Sequence, residues 1–375
     1  MYDSDSEKEL LALLRLQCTP HIGDQTAKKL IAHCGSAAAV FRERKGLLMK
    51  LEGIGMRTVA ELGNIQYQEA ALKEFRFIAH NKLNWISFQD TAYPKYLKHC
   101  RDGPILLFTR GNFDLTNRRI ISVVGTRSST PHGNAFCEAF IEALVPLNPV
   151  IVSGFAYGID IQVHKAAIKF GLPTLAILAH GLNRLYPRIH SRYASKLMQN
   201  GGFITEFWSS SKPDRENFLK RNRIIAGISE ATVLVESAER GGGLITADLA
   251  HGYNRDVFAV PGRVGDPYSQ GCNHLIKVQK AHMLTSVADL VYVLGWELDM
   301  HKSRPRQQEL FTTLDSSEQG IYCFLEANGK QLLDDIALSC RFPVSQTATL
   351  LFGMEMKGCI RSLPGKFYEI IHSKT

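Results

Sequence analysis

The chain has 375 residues, more than one ordinary domain needs, and 45% of them are hydrophobic, ample for buried cores. Lysine and arginine number 44 against 36 aspartate and glutamate, a formal net charge of +8, which leans toward a polyanionic partner. No apolar run approaches the roughly 20 residues of a membrane span, and the opening MYDSDSEKEL is polar, so no membrane association and a cytoplasmic location are expected.

The eight cysteines are scattered without a CxxC spacing, which fits reduced thiols and gives no metal site and no cofactor. Short helices are predicted over 10–16, 26–33 and 57–62. Before the third, Glu52-Gly53-Ile54-Gly55 reads as the hairpin of a helix-hairpin-helix unit, whose glycines let backbone amides approach a phosphate. Pro20-His21-Ile22-Gly23 reads as a degraded copy, with His21 in place of the first glycine. A tight structural turn explains either copy equally well. Residues 1–78 are expected to form a helical domain.

Beyond residue 79 the texture changes. NWISF and PILLFT look like strands, and from Arg119 strand and helix alternate. The apolar runs are IISVV (120–124), VIVS (150–153), TLAILA (174–179), FITEF (203–207), TVLVES (232–237) and DVFAV (256–260). Helical stretches fall at 133–144, 159–170, 191–199, 221–229 and 246–253. Such alternation predicts an α/β domain over 79–298 with a doubly wound parallel sheet. Ligands of such sheets sit at the carboxyl ends of the strands, near the reversal of strand order.

The unusual residues of this chain fall at those ends. IISVV leads into Gly125-Thr126-Arg127-Ser128-Ser129, an anion cradle with Arg127 as its clamp. VIVS ends in Ser153-Gly154-Phe155-Ala156-Tyr157, small residues for close backbone approach beside two aromatics that are either base-stacking or core. His180 reads as a hydrogen-bonded structural residue. After TVLVES, the triplet Gly241-Gly242-Gly243 heads a helix and forms a backbone-amide nest. The segment RENFLKRNRIIAG (215–227) surrounds Phe218 with Arg215, Lys220, Arg221 and Arg223. At helical spacing Arg221 falls in the middle of the apolar face, with Lys220 and Arg223 on the other side. A guanidinium on that face suits an anion better than solvent.

No GxGxxG, GxxxxGK[ST] or GxSxG motif occurs among these loops. Glu206, Glu236 and Asp248 lie near the expected cleft, but Glu236 reads as ordering a turn. With no convincing nucleophile, base or metal set, no catalytic residue is assigned. The pattern holds phosphates rather than cleaving them.

A Pro- and charge-rich linker is expected over 299–306, then a small domain over 307–375 with helices at 316–326, 332–339 and 344–356 and a hairpin across Pro364-Gly365. Three helices and a hairpin make a winged helix. The third helix, VSQTATLLFGMEM, carries no lysine or arginine, which favours protein contact or regulation over groove reading.

GTRSST, SGFAYGID, HGLNRLYP, FLKRNRIIAG, GGGLITA, FAVPG and GCNHLIK, in this order, resemble the DNA-processing protein A family, also called Smf. The blocks run from about Tyr93 to Leu290. The resemblance implies an extended Rossmann-like core between a helical, SAM-like N-terminal domain and a winged-helix tail. It also implies a homodimer that binds single-stranded DNA in natural transformation and loads the RecA recombinase. The DNA-binding residues expected on this basis are Gly125, Arg127, Ser153, Gly154, Phe218, Lys220, Arg221, Asn222, Arg223, Gly241, Gly242 and Gly243. The chain departs from the family pattern with Leu219 for a usual proline, and with Gly241 and Gly243 for usual serines. The runner-up is a nucleotide-binding phosphoribohydrolase-like enzyme, whose PGGxGTxxE pattern meets Leu249 where glutamate is needed; a nucleotide sensor is a third reading.

Overall fold

The computed structural model describes residues 5–296, 314–363 and 366–371. It divides at residue 298 into two compact bodies, and the linker read over 299–306 lies outside the described residues. Among the described residues no helix is long and apolar enough to cross a membrane.

The first body opens with helices α1 (Asp5–Cys18), α2 (Asp24–Cys34), α3 (Ala37–Val40), α4 (Lys45–Leu48), α5 (Met56–Leu62) and α6 (Ile65–His80). The predicted helices are three of these. The sixteen-residue α6, started by the Asn64 side chain accepting from the Gln66 amide, goes beyond that reading. Both hairpins share one geometry. Gly53 has φ +82° and His21 has φ +63°, and each turn ends on a glycine that begins the next helix. His21 therefore takes up the left-handed conformation a glycine would supply.

Nine strands follow: β1 (Asn84–Ser87), β2 (Leu106–Asn112), β3 (Ile120–Val124), β4 (Val150–Ser153), β5 (Thr174–Ile177), β6 (Gly201–Thr205), β7 (Ala231–Leu234), β8 (Asp256–Ala259) and β9 (His282–Met283). Their order is β1-β2-β6-β5-β4-β3-β7-β8-β9. β3 through β9 pair in parallel, and β1 and β2 close one edge antiparallel. Every residue of β3, β4, β5 and β7 is buried, as parallel strands covered on both faces require.

Alternation sorts the side chains between two cores. Ile120 and Val124 face one with Ile224, Ile225 and Ala250, while Ile121 and Val123 face the other with Phe140 and Val163. The first face carries α7 (Lys95–Lys98), α11 (Arg215–Ile228), α12 (Gly242–Gly252) and α13 (Gln270–Lys277). The second carries α8 (Pro131–Ala143), α9 (Ile159–Phe170) and α14 (Val287–Leu294), and α10 (Ala194–Gln199) covers a small cluster with Phe155 and Phe203. The helical segment α1–α6 shares a core with the sheet. Leu13, Leu30 and Ile78 pack with Ile105, Leu106 and Phe108.

The second body holds α15 (Ser316–Asn328), β10 (Gln331–Leu332), α16 (Leu333–Cys340), α17 (Val344–Met356), β11 (Ile360–Leu363) and β12 (Phe367–Ile370). Its three strands run antiparallel in the order β10-β12-β11 around a core of Ile321, Ile336, Leu351 and Ile360. Helices and strands follow the winged-helix expectation closely.

Candidate functional site

The chain leaves β3 toward β4, β5 and β6, then returns to β7 on the other side of β3. That reversal splays the loops after β3 and β7 apart, and a cleft of 650 Å³ opens between them. Gly125, Thr126 and Arg127 form one wall, Gly241, Gly242 and Gly243 another, and Phe218, Arg221 and Asn222 of α11 a third.

The first wall is stapled in place. Thr126 donates its amide to the Glu236 carbonyl at 2.7 Å. The Glu236 carboxylate accepts from the Thr130 amide at 2.9 Å and from the Thr130 hydroxyl. Thr130 in turn caps α8 through the Gly133 amide at 3.1 Å. Glu236 thus orders the turn, as the sequence suggested, with each carboxylate oxygen accepting one bond from Thr130. The glycine wall divides its labour. A methyl group on Gly243 would come within 2.7 Å of Leu234 Cδ1 and 3.4 Å of the Gly125 Cα, so this glycine packs closely against the first wall. Gly242 faces open space, and Gly241 begins α12 without a side-chain cap. The first amides of α12 are left for an anion.

Arg127 stands exposed at the mouth, its guanidinium carbon 4.9 Å from the centroid of the half-buried Phe218 ring. Arg221 lies beneath, 5.7 Å from the same centroid and only 4% exposed. Its Nη1 donates to the carbonyls of Gly154 and Ile177, each at 2.6 Å, tying the loop after β4 to the end of β5. Its Nε is buried without a partner. Burial lowers the Arg221 pKa to about 10, opposed by buried Asp160 on α9, so the side chain stays charged. Burial raises the pKa of Asp160, opposed chiefly by Arg221. A methyl group on Gly154 would overlap the Arg221 guanidinium, which explains the glycine.

Ser153 and Gly154 form the floor that holds Arg221 rather than the lining. The Ser153 hydroxyl is fully buried and donates to the Val123 carbonyl at 2.7 Å. Phe155, in the left-handed region at φ +60°, turns its ring into the core against Phe203, which removes it as a stacking residue. Tyr157 is 46% exposed.

Lys220 and Arg223 face away from this cleft and line a second one, beside α2. Arg223 donates to the Asp102 carbonyl, pairs with Glu206, and reaches Asp24 at 3.3 Å. Burial pushes the Glu206 carboxyl up to about 7, opposed first by Arg223. This arginine joins the sheet to the helical segment, a task its sequence neighbourhood does not reveal. Arg215 and Arg240 line the switch-point cleft as well; Arg240 directly precedes the glycine triplet, and that adjacency was the available signal. Among the described residues no group of three or more His, Cys, Asp or Glu is placed to hold a metal ion.

The sequence pattern of the DNA recombination-mediator protein A family matches residues 84–295, the whole of the sheet. The chain belongs to this family. The pattern of the DprA winged helix domain matches 305–366. Protein Smf of Escherichia coli K12 is 34% identical over 283 residues, covering 74% of this chain and 75% of its own length. DNA processing protein DprA of Streptococcus pneumoniae R6 is 37% identical over 219 residues, covering 58% and 75%. The X-ray structure of DNA processing protein A from Streptococcus pneumoniae superposes with a TM-score of 0.65 at 31% identity, over 74% of this chain and 95% of that one. DNA processing protein A from Helicobacter pylori, described for its single-stranded DNA binding mode, shares the fold with a TM-score of 0.51 at 24% identity, over 56% and 95%.

Proposed function

We propose that the chain is a single-stranded-DNA-binding recombination mediator of natural transformation, acting in the cytoplasm as a homodimer that delivers the bound strand to the RecA recombinase. One observation carries the binding reading. Exposed Arg127 lies over the Phe218 ring at the mouth of a cleft whose opposite wall is an uncapped helix start. A cation and free amides suit phosphate, and an aromatic face accepts any base. Family membership and the matching winged-helix domain support the rest.

A binding role also suits the carboxylates near the cleft. Glu236 caps a helix through Thr130, Glu206 pairs with Arg223, and exposed Asp248 pairs with Lys280 at 3.1 Å.

Fluorescence anisotropy with single-stranded and duplex oligonucleotides over a salt series tests the binding reading. Single strands should bind more tightly, with affinity falling as salt rises. Arg127→Ala should weaken binding and flatten the log–log salt slope by about 0.7, one phosphate contact on a single strand. Equal binding of both forms, or an unchanged slope, would reject the cleft as the DNA site. Release of free base from nucleoside monophosphates would favour the phosphoribohydrolase reading. Sedimentation measures the dimer, and a pull-down with RecA tests that partnership.

A further inference from the structure

The loop after β5 presents side chains that the switch-point cleft does not use. From His180 to Arg188 the chain crosses the carboxyl edge of the sheet with Arg184, Tyr186 and Arg188 exposed. Tyr186 is 43% exposed. The small core below this edge is filled by Phe155, Leu178, Leu197 and Phe203, so the ring is not needed there.

Its position is nevertheless closely held. Buried His180 donates through Nδ1 to the Gly181 carbonyl at 2.9 Å and accepts the Tyr186 amide at Nε2, 3.2 Å away. A carbonyl can only accept and an amide can only donate, so this pair of bonds requires a neutral ring protonated on Nδ1. Burial lowers the His180 pKa and favours that state. The Thr205 hydroxyl, from neighbouring β6, donates to the His180 carbonyl at 2.9 Å and anchors the loop from the other side.

The held ring has a significant neighbour. Its centroid lies 6.1 Å from that of Phe218, tilted by 59°, and Phe218 carries Arg127 on its face. Arg127, Phe218 and Tyr186 therefore form a continuous row. Arg127 follows β3 and Tyr186 follows β5, with β4 between them. The row leads outward from the strand reversal, and exposed Arg184 and Arg188 stand two positions before and after Tyr186 in the chain.

We propose that Tyr186, positioned by His180, is a second base-stacking platform that extends the single-strand site from the switch-point cleft across the ends of β4 and β5. The ligand is a polynucleotide of any sequence, since each base offers a π-face. This inference rests on the single-strand reading of the cleft.

The test uses the full chain and two fluorescent 20-nucleotide strands, oligo(dT) and a fully abasic strand of the same backbone. Tyr186→Ala and Tyr186→Leu should each weaken oligo(dT) binding about 5- to 150-fold, the range expected for loss of one stack. Both should leave the abasic strand bound as by wild type, and Tyr186→Phe should match wild type on both. His180→Leu should lose oligo(dT) affinity alone, and His180→Gln, which keeps an acceptor for the Tyr186 amide, should recover it. Arg127→Ala should weaken both strands. If Tyr186→Ala keeps oligo(dT) affinity while Arg127→Ala loses it, the platform is refuted and the cleft stands. An equal loss on both strands also refutes stacking. No single-strand binding by the wild type would overturn the cleft and the platform together.

Discussion

Arg221 separates stability from binding, and its replacement gives the most exacting test of the site. In Arg221→Ala the buried carbonyls of Gly154 and Ile177 each lose a 2.6 Å hydrogen bond from a charged donor. An orphaned buried acceptor costs about 1–3 kcal/mol, so the two together should cost about 2–6 kcal/mol. Asp160 also loses the cation that partly offsets its burial. Arg127→Ala removes an exposed side chain and should stay within about 0.5 kcal/mol of wild type. The assay is urea unfolding followed by tryptophan fluorescence. All three tryptophans, Trp85, Trp208 and Trp296, lie in the first body, so the signal reports that body alone. An Arg221→Ala protein as stable as wild type would show that this guanidinium does not hold the floor of the cleft.

The same floor predicts the response to Gly154→Ala, whose methyl group would overlap the Arg221 guanidinium. It should cost about 1–3 kcal/mol in wild type and much less in an Arg221→Ala background, and a double-mutant cycle without coupling would refute the clash. Gly242→Ala, with open space around it, should leave the unfolding free energy within about 0.5 kcal/mol of wild type; a large loss would show that the nest is packed rather than open. His164 is fully buried, donates through Nδ1 to Thr174 at 2.7 Å, and has its pKa lowered by burial to about 3. Its neutral form contributes stability that is complete above the unfolded value near 6.5 and is lost as pH falls through the folded value. Stability relative to His164→Asn should therefore decline by up to about 1.4 kcal/mol per pH unit below 6.5, and a constant difference between pH 7 and pH 5 would contradict this.

The parallel strands were legible because burial on both faces leaves uninterrupted apolar runs such as IISVV and VIVS. The place of Arg221 was legible too. A cation at helical spacing among Phe218, Ile224, Ile225 and Ile228 could only point inward. Its partners were not, since carbonyls carry no sequence signature and those of Gly154 and Ile177 arrive from other strands. The partners of Arg223 were hidden for a similar reason. Its carboxylate Asp24 lies 199 positions earlier in the chain, and only the packing of α2 against the sheet brings the two together. The antiparallel closure by β1 and β2 also depends on distant pairing, so the core that the helical segment shares with β2 had no local signal. The first hairpin was legible only as a degraded copy, because His21 is an unusual residue type for the positive φ that the turn demands.

Two neighbouring arginines of α11 serve opposite sides of one rod. Arg221 looks into the sheet and Arg223, about 200° further round, grips the helical segment. The triplet Arg221-Asn222-Arg223 is thus read by angle, like the bit of a key. One residue added inside the first turns of α11 would rotate the helix upstream of it by about 100° against the helix downstream, setting Phe218 out of line with both Arg221 and Arg127. The same residue added to the loop before Asp214, where the helix is capped, would leave every bearing unchanged. Tolerance to a change in length should therefore switch abruptly at Asp214, although no residue on either side of it is altered in kind.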